Sequence, residues 1–123
     1  MQTTHEYRPI LASAARTATV NGADQTNLSA RGVVVTIDAT ASAATPSVVF
    51  TIQGKDQLSG TYRTILASAA VTGVSTTVLK VYPGLTAAAN AAANDVLPPV
   101  WRVIATAGDA DSLTYSVAAD TIL

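Results

Sequence analysis

His5, the pair Asp109 and Asp111, and Trp101 are the side chains with which this chain could do chemistry or grip a ligand. An enzyme needs a nucleophile, a base or a metal in a defined arrangement. His5 is the single histidine and lies near the start of the chain, and there is no cysteine. No second imidazole or thiolate can therefore complete a zinc site. No Gly-x-Ser-x-Gly elbow occurs. The seven glycines are scattered singly rather than gathered into a phosphate cradle. The residues predict no catalytic site, no cofactor-binding site, no metal site and no enzymatic activity.

Asp109-x-Asp111 sits in a loop, where such a pair can contribute to a calcium site. The usual calcium loop needs more oxygen ligands than this stretch offers. The competing reading is an acidic turn whose carboxylates bond nearby N–H groups, and calcium binding stays open. Asn94-Asp95 is expected to close a crossover in the same way. Trp101 lies inside Val100-Trp101-Arg102-Val103-Ile104, which reads as a central strand. It is expected to pack in the core with its indole N–H bonded, rather than to stack on a ligand. Arg102 and Arg63 would then face away from the core, to pair with acids or to meet a partner.

These groups need a scaffold, and the composition says which kind. The chain has 123 residues, the size of one domain. Only 12% of its residues are charged, about half the usual share. The net charge is -1, with no basic stripe. Neither a nucleic acid nor an anionic membrane surface is expected as a partner. No positively charged segment leads into an apolar one near the start, so no secretory signal is read. Ala, Val, Leu, Ile, Thr and Ser dominate. A surface this poor in charge suggests assembly with other copies or another protein.

The dominant pattern has period two. Val33, Val35 and Ile37 alternate with Val34, Thr36 and Asp38, and Val48, Phe50 and Ile52 with Val49, Thr51 and Gln53. Tyr62, Thr64 and Leu66 would share one face of a third run, and Leu113, Tyr115 and Val117 one face of another. Half-buried strands alternate in this way because successive side chains point to opposite faces. About seven strands are expected, near residues 16-20, 31-39, 47-54, 61-67, 75-82, 99-106 and 111-118. Turn residues such as Asn21-Gly22, Ser59-Gly60 and Pro83-Gly84 separate them. The predicted fold is all-β: a single antiparallel β-sandwich over residues 16-123, immunoglobulin-like or jelly-roll-like. Thr86 to Asn94 is an Ala-rich crossover, either irregular or a short helix capped by Thr86.

An internal echo stands out. Tyr7-Arg8-Pro9-Ile10-Leu11-Ala12-Ser13-Ala14-Ala15 returns as Tyr62-Arg63-Thr64-Ile65-Leu66-Ala67-Ser68-Ala69-Ala70, with only the third position changed. A weaker echo links Pro46 through Tyr62 to Pro99 through Tyr115. Similar hairpins converging on similar residues would explain both. Alternatively, residues 1-15 form an N-terminal arm that pairs with a sheet edge of its own or a neighbouring subunit.

Several motifs in the second half resemble a family of small virion structural proteins of tailed bacteriophages. They are Val48-Val49-Phe50-Thr51-Ile52-Gln53-Gly54, Ser59-Gly60-Thr61-Tyr62, Thr64-Ile65-Leu66-Ala67-Ser68, Val81-Tyr82-Pro83-Gly84-Leu85, Asn94-Asp95-Val96-Leu97-Pro98, Trp101-Arg102-Val103 and Ser112-Leu113-Thr114-Tyr115-Ser116-Val117. The resemblance covers roughly residues 30-123. It implies a β-sandwich that binds the assembled shell as a capsid decoration (cement) protein. The implied partners are the major capsid protein and further copies of the chain, as a dimer or trimer, on the capsid exterior after assembly in the host cytoplasm. A tail, neck or head-fibre component and a carbohydrate-binding host-recognition module are the alternatives.

Overall fold

A computed structural model of the protein describes residues 5–123. Among these residues there are ten strands and no helix: β1 (Glu6–Arg16), β2 (Val20–Asn21), β3 (Gln25–Thr26), β4 (Gly32–Ala43), β5 (Val48–Lys55), β6 (Tyr62–Ala67), β7 (Ser75–Val81), β8 (Ala92–Ala93), β9 (Val100–Ala107) and β10 (Ser112–Ile122). The long strands are the β-branched runs, whose side chains suit a pleated, half-buried surface.

The first sheet has the order β1-β10-β4-β7-β8; the second runs β2-β9-β5-β6, with β3 also on β9. β2 and β3 are halves of one interrupted strand, and β8 is a two-residue addition. The rest is a chain of eight strands wound as a folded hairpin. The first pairs with the last, β2 and β3 with β9, β4 with β7, and β5 with β6. That winding is the jelly roll, which decides between the two arrangements the sequence left open.

Four expectations need correction. Residues 16-20 do not form one strand: β1 ends at Arg16 and β2 begins at Val20. Ten strands replace about seven: β3 and β8 are two-residue pairings that carry little sequence pattern, and β1 is the segment read as an arm. The sandwich is antiparallel except where β8 runs parallel to β7. The weaker echo joins unlike parts: Pro46 to Tyr62 spans the β5–β6 hairpin, whereas Pro99 to Tyr115 passes from the second sheet to the first. The crossover takes its irregular form. Ala88 and Ala92 exchange backbone hydrogen bonds at 3.0 Å around Asn90, which has φ 62°. Asparagine tolerates that left-handed region, and two helical turns would have been marginal in water.

The first echo has a structural meaning. Both copies are strands at the rim of a sheet, and both carry a register shift at the same place. In β1 it falls between Pro9 and Leu11, opposite β10. In β6 it falls between Thr64 and Leu66, opposite β5. The extra residue, Ile10 or Ile65, is a β-bulge that lets two consecutive apolar side chains turn toward the core. The bulge also breaks the expected face: Tyr62 and Thr64 lie outward, and Leu66 is buried. Each copy's arginine reaches toward the other sheet, Arg8 to the Thr26 carbonyl and Arg63 to Asp95. Of the segment read as an arm, residues 1-4 lie outside the described residues, and most of the remainder lies in β1.

The core is where the inward rows of the two sheets meet. Val33, Val35 and Ile37 of β4 and Leu113, Tyr115 and Val117 of β10 face Phe50 and Ile52 of β5 and Trp101 and Val103 of β9. The rings of Phe50 and Tyr115 meet edge to face, with centroids 4.9 Å apart and planes at 84°. Trp101 is buried as expected, but its Nε1 has no hydrogen-bond partner among the described residues, and neither has the Tyr115 hydroxyl. Burial pushes the Tyr115 hydroxyl pKa up. An unpaired buried hydroxyl costs stability, whereas its apolar replacement does not. Tyr115→Phe is therefore expected to stabilise the protein by about 1 kcal/mol in urea unfolding. Phe50→Ala should remove about 3–5 kcal/mol by leaving a cavity. A destabilised Tyr115→Phe protein would show that the hydroxyl is bonded in solution.

Candidate functional site

The densest polar constellation among the described residues lies on the outer face of the second sheet, around Tyr62. Register places it there: Lys55 is paired with Tyr62, and Gln53 with both Thr64 and Arg102. Arg102 donates from Nε to Gln53 Oε1 at 2.9 Å. Its guanidinium carbon lies 3.5 Å from the Tyr62 ring centroid, a stacked cation–π contact. Lys55 Nζ lies 5.5 Å from the same centroid. The Tyr62 hydroxyl donates to Asp24 Oδ1 at 2.6 Å, and Lys55 Nζ donates to Asp24 Oδ2 at 3.1 Å. Tyr62 thus spans the sheet face from β6 to the β2–β3 link, tying the interrupted edge to the opposite one.

These contacts brace the sheet face from edge to edge. The phenol already donates to a carboxylate, and both cations stabilise that anion. The Tyr62 hydroxyl, then Lys55, hold the Asp24 carboxyl below the usual carboxylate range. Sequence reading missed Asp24, Lys55, Gln53 and Tyr62, since their contacts join residues 31 to 49 positions apart. It also missed Arg16. That guanidinium donates to the Ala12, Ala14 and Tyr115 carbonyls at 2.6, 3.4 and 2.8 Å. It thereby fills the second irregularity of β1 and lies 4.7 Å from the Tyr115 ring.

The residues singled out by sequence fall apart in space. His5 Nδ1 donates to the Thr121 carbonyl at 3.2 Å. Asp109 and Asp111 form the acidic turn: the Asp111 N–H donates to Asp109 Oδ1 at 3.0 Å, and Thr45 donates to Asp111 Oδ2 from its N–H and hydroxyl at 3.2 and 3.3 Å. Among the described residues no group of three or more His, Cys, Asp or Glu gathers as a metal site would require. Asn94 Oδ1 accepts from the Gly84 N–H, and Asp95 Oδ1 from the Val96 N–H. Arg63 pairs with Asp95 at 3.3 Å, while Arg102 meets an amide and a ring instead of an acid. Arg63 does not face away from the core as expected: it lies opposite Gly54, in the row that contains Trp101.

Two surface features remain. A cavity of about 290 Å³ opens beside the β6–β7 connection, lined by Ala69, Val71, Thr72, Val74 and Asn90 among other uncharged residues. At the β5–β6 turn Leu58 is 97% exposed. The turn is rigid around it. Asp56 accepts from the Leu58 N–H at 3.2 Å and the Ser59 hydroxyl at 2.7 Å, and Gly60 closes the loop at φ +78°.

The eight-strand winding and its braces define the class: a jelly-roll sandwich whose described polar residues hold strands together. No protein-family model matches the chain, and a search of curated proteins found no match. Among solved structures, it is similar to a chain in the structure of infectious bursal disease virus, Gx strain. The TM-score is 0.51 at 15% identity, over 97% of this chain and 33% of that one. The present chain thus spans about a third of the length of the chain it matches. At this identity the likeness shows a shared fold.

Asp24 supplies a pH test of the brace. Its pKa is depressed in the folded state, so its contribution is present above the unfolded value and fades as pH falls through the folded one. Asp24→Asn is expected to flatten the acid limb of stability against pH, and Tyr62→Phe to shift that limb upward. Unfolding curves at a series of acidic pH values read both; an unchanged limb in Asp24→Asn would remove the brace from the account of stability.

Proposed function

We propose that this chain is a structural virion protein of a tailed phage that binds the assembled capsid as a decoration or stabilising protein. The jelly-roll winding, shared with a chain in a virus structure, is the observation that carries the reading. The step from fold to role is an analogy, and surface chemistry supports it. The outward positions of β4 and β10 hold Thr36, Thr114, Ser116 and Ala118, short side chains that can approach another protein closely. A subunit repeated over a lattice needs only modest contacts, because many act together. The major capsid protein is the proposed partner and the capsid exterior the proposed site. Catalysis has no place in this reading: Asp24, Lys55, Tyr62 and Arg102 hold one another in a static brace.

Quantitative mass spectrometry of purified particles of the virus that encodes this chain tests the proposal. A copy number in simple ratio to the shell protein is expected, together with lowered heat resistance of particles stripped of the chain. A handful of copies per particle would move the protein to the tail or neck, and absence from the particle would end the virion reading.

A further inference from the structure

Three of the four sheet edges carry visible protection. β1 has Pro9, two register shifts, and Arg16 bonded to the Ala12 and Ala14 carbonyls. β7 is covered along part of its length by the Ala88–Ala93 turn, through β8 and the bond from the Lys80 N–H to the Ala91 carbonyl. The edge beyond β9 is broken into the two-residue strands β2 and β3. Such devices blunt the backbone groups an edge would otherwise offer to another chain. β6 shares the bulge of β1 but has no proline, no covering turn and no break: its ladder runs to β5, and among the described residues no other strand pairs with it.

The echo sharpens the contrast. β1 and β6 have the same sequence and the same bulge, but Pro9 stands where β6 has Thr64. Proline within a strand is confined to positions whose N–H faces away from the sheet. At that place β1 has no donor, and β6 has one turned outward.

We infer that the free edge of β6 pairs antiparallel with β6 of a second copy, forming a two-fold dimer in which Leu58 of each copy enters the cavity beside the β6–β7 connection of the other. The two features lie beyond opposite ends of the same strand. Pairing centred between Thr64 and Ile65 sets Leu58 opposite Val71, which lines the cavity. The cavity carries no charged side chain and is far larger than one leucine. The backbone of Leu58 is already fixed by the Asp56 hydrogen bonds of the turn, so little backbone freedom is lost when it docks. A two-fold axis makes the contact self-complementary, each copy supplying one knob and one hole. The joined second sheets turn both Tyr62 braces to the same side. The inference is independent of a virion role.

Sedimentation velocity over a concentration series tests it on the full chain. The wild type is expected to pass from monomer to dimer as concentration rises. Leu58→Asp removes both knobs at once and should weaken the dimer on the order of a hundredfold. Thr64→Pro transplants the protection of β1 onto β6 and should also abolish pairing. The fold should survive, because Pro9 already occupies the matching place in β1; thermal unfolding of the variant checks this. In oxidised Leu58→Cys/Thr72→Cys, in a chain with no native cysteine, disulfides should form between copies. The two positions within one copy are separated by the length of β6, roughly 20 Å. A wild type that stays monomeric throughout, or a dimer that neither Leu58→Asp nor Thr64→Pro weakens, would overturn the inference.

Discussion

Phe50 and Tyr115 touch edge to face at the centre of the sandwich, one ring from each sheet, and the arrangement of the rest follows from the need to bury that contact. Each sheet has one apolar face and cannot hide it alone. Two such faces, rich in Val, Ile and Leu, close over the rings and exclude water. Their inward rows determine which side chains must point outward. Tyr62, Gln53, Lys55 and Arg102 are on the surface because Ile52, Leu66 and Val103 are in the core. The outer brace is thus a consequence of core register.

Edges pose the second constraint. A jelly roll closes its core without closing its sheets, so backbone donors and acceptors are left along four rims. The repeated Tyr-Arg-x-Ile-Leu-Ala-Ser-Ala-Ala segment solves part of this at two rims. Its bulge turns two adjacent apolar residues inward, and its arginine fastens the strand toward the opposite sheet. What remains chemically available after these measures is the outer side of β6.

Much of the fold is legible in the sequence because strand alternation is local. The runs around Val33, Phe50, Leu79, Trp101 and Leu113 announce themselves, and proline and glycine mark their limits. The jelly-roll order is not legible, since pairing of Glu6 with Thr121 or Gln25 with Trp101 leaves no local trace. The bulge at Ile65 misleads a strict two-residue reading, because one inserted residue moves Leu66 to the other face. Asp24 is invisible because its partners, Lys55 and Tyr62, lie on strands distant in the chain, and Arg16 because it serves an irregularity of β1 and reaches the Tyr115 carbonyl on β10. Trp101 shows a different failure. Its burial follows from the pattern around it, but the lack of a partner for its indole among the described residues depends on which atoms happen to surround it.

β10 follows the nine other described strands in the chain, yet it lies inside the first sheet, between β1 and β4. Until it emerges, β1 and β4 have no common neighbour, and the inward rows of β4 and β7 face an incomplete lid. The β5–β6 hairpin can form early from neighbouring residues, but closure of the sandwich must wait for β10 and the long loop closures it requires. The first sheet is therefore completed by an insertion rather than an extension. A nascent chain stalled before residue 112 lacks the strand that joins β1 to β4, and it exposes apolar surface until β10 has emerged.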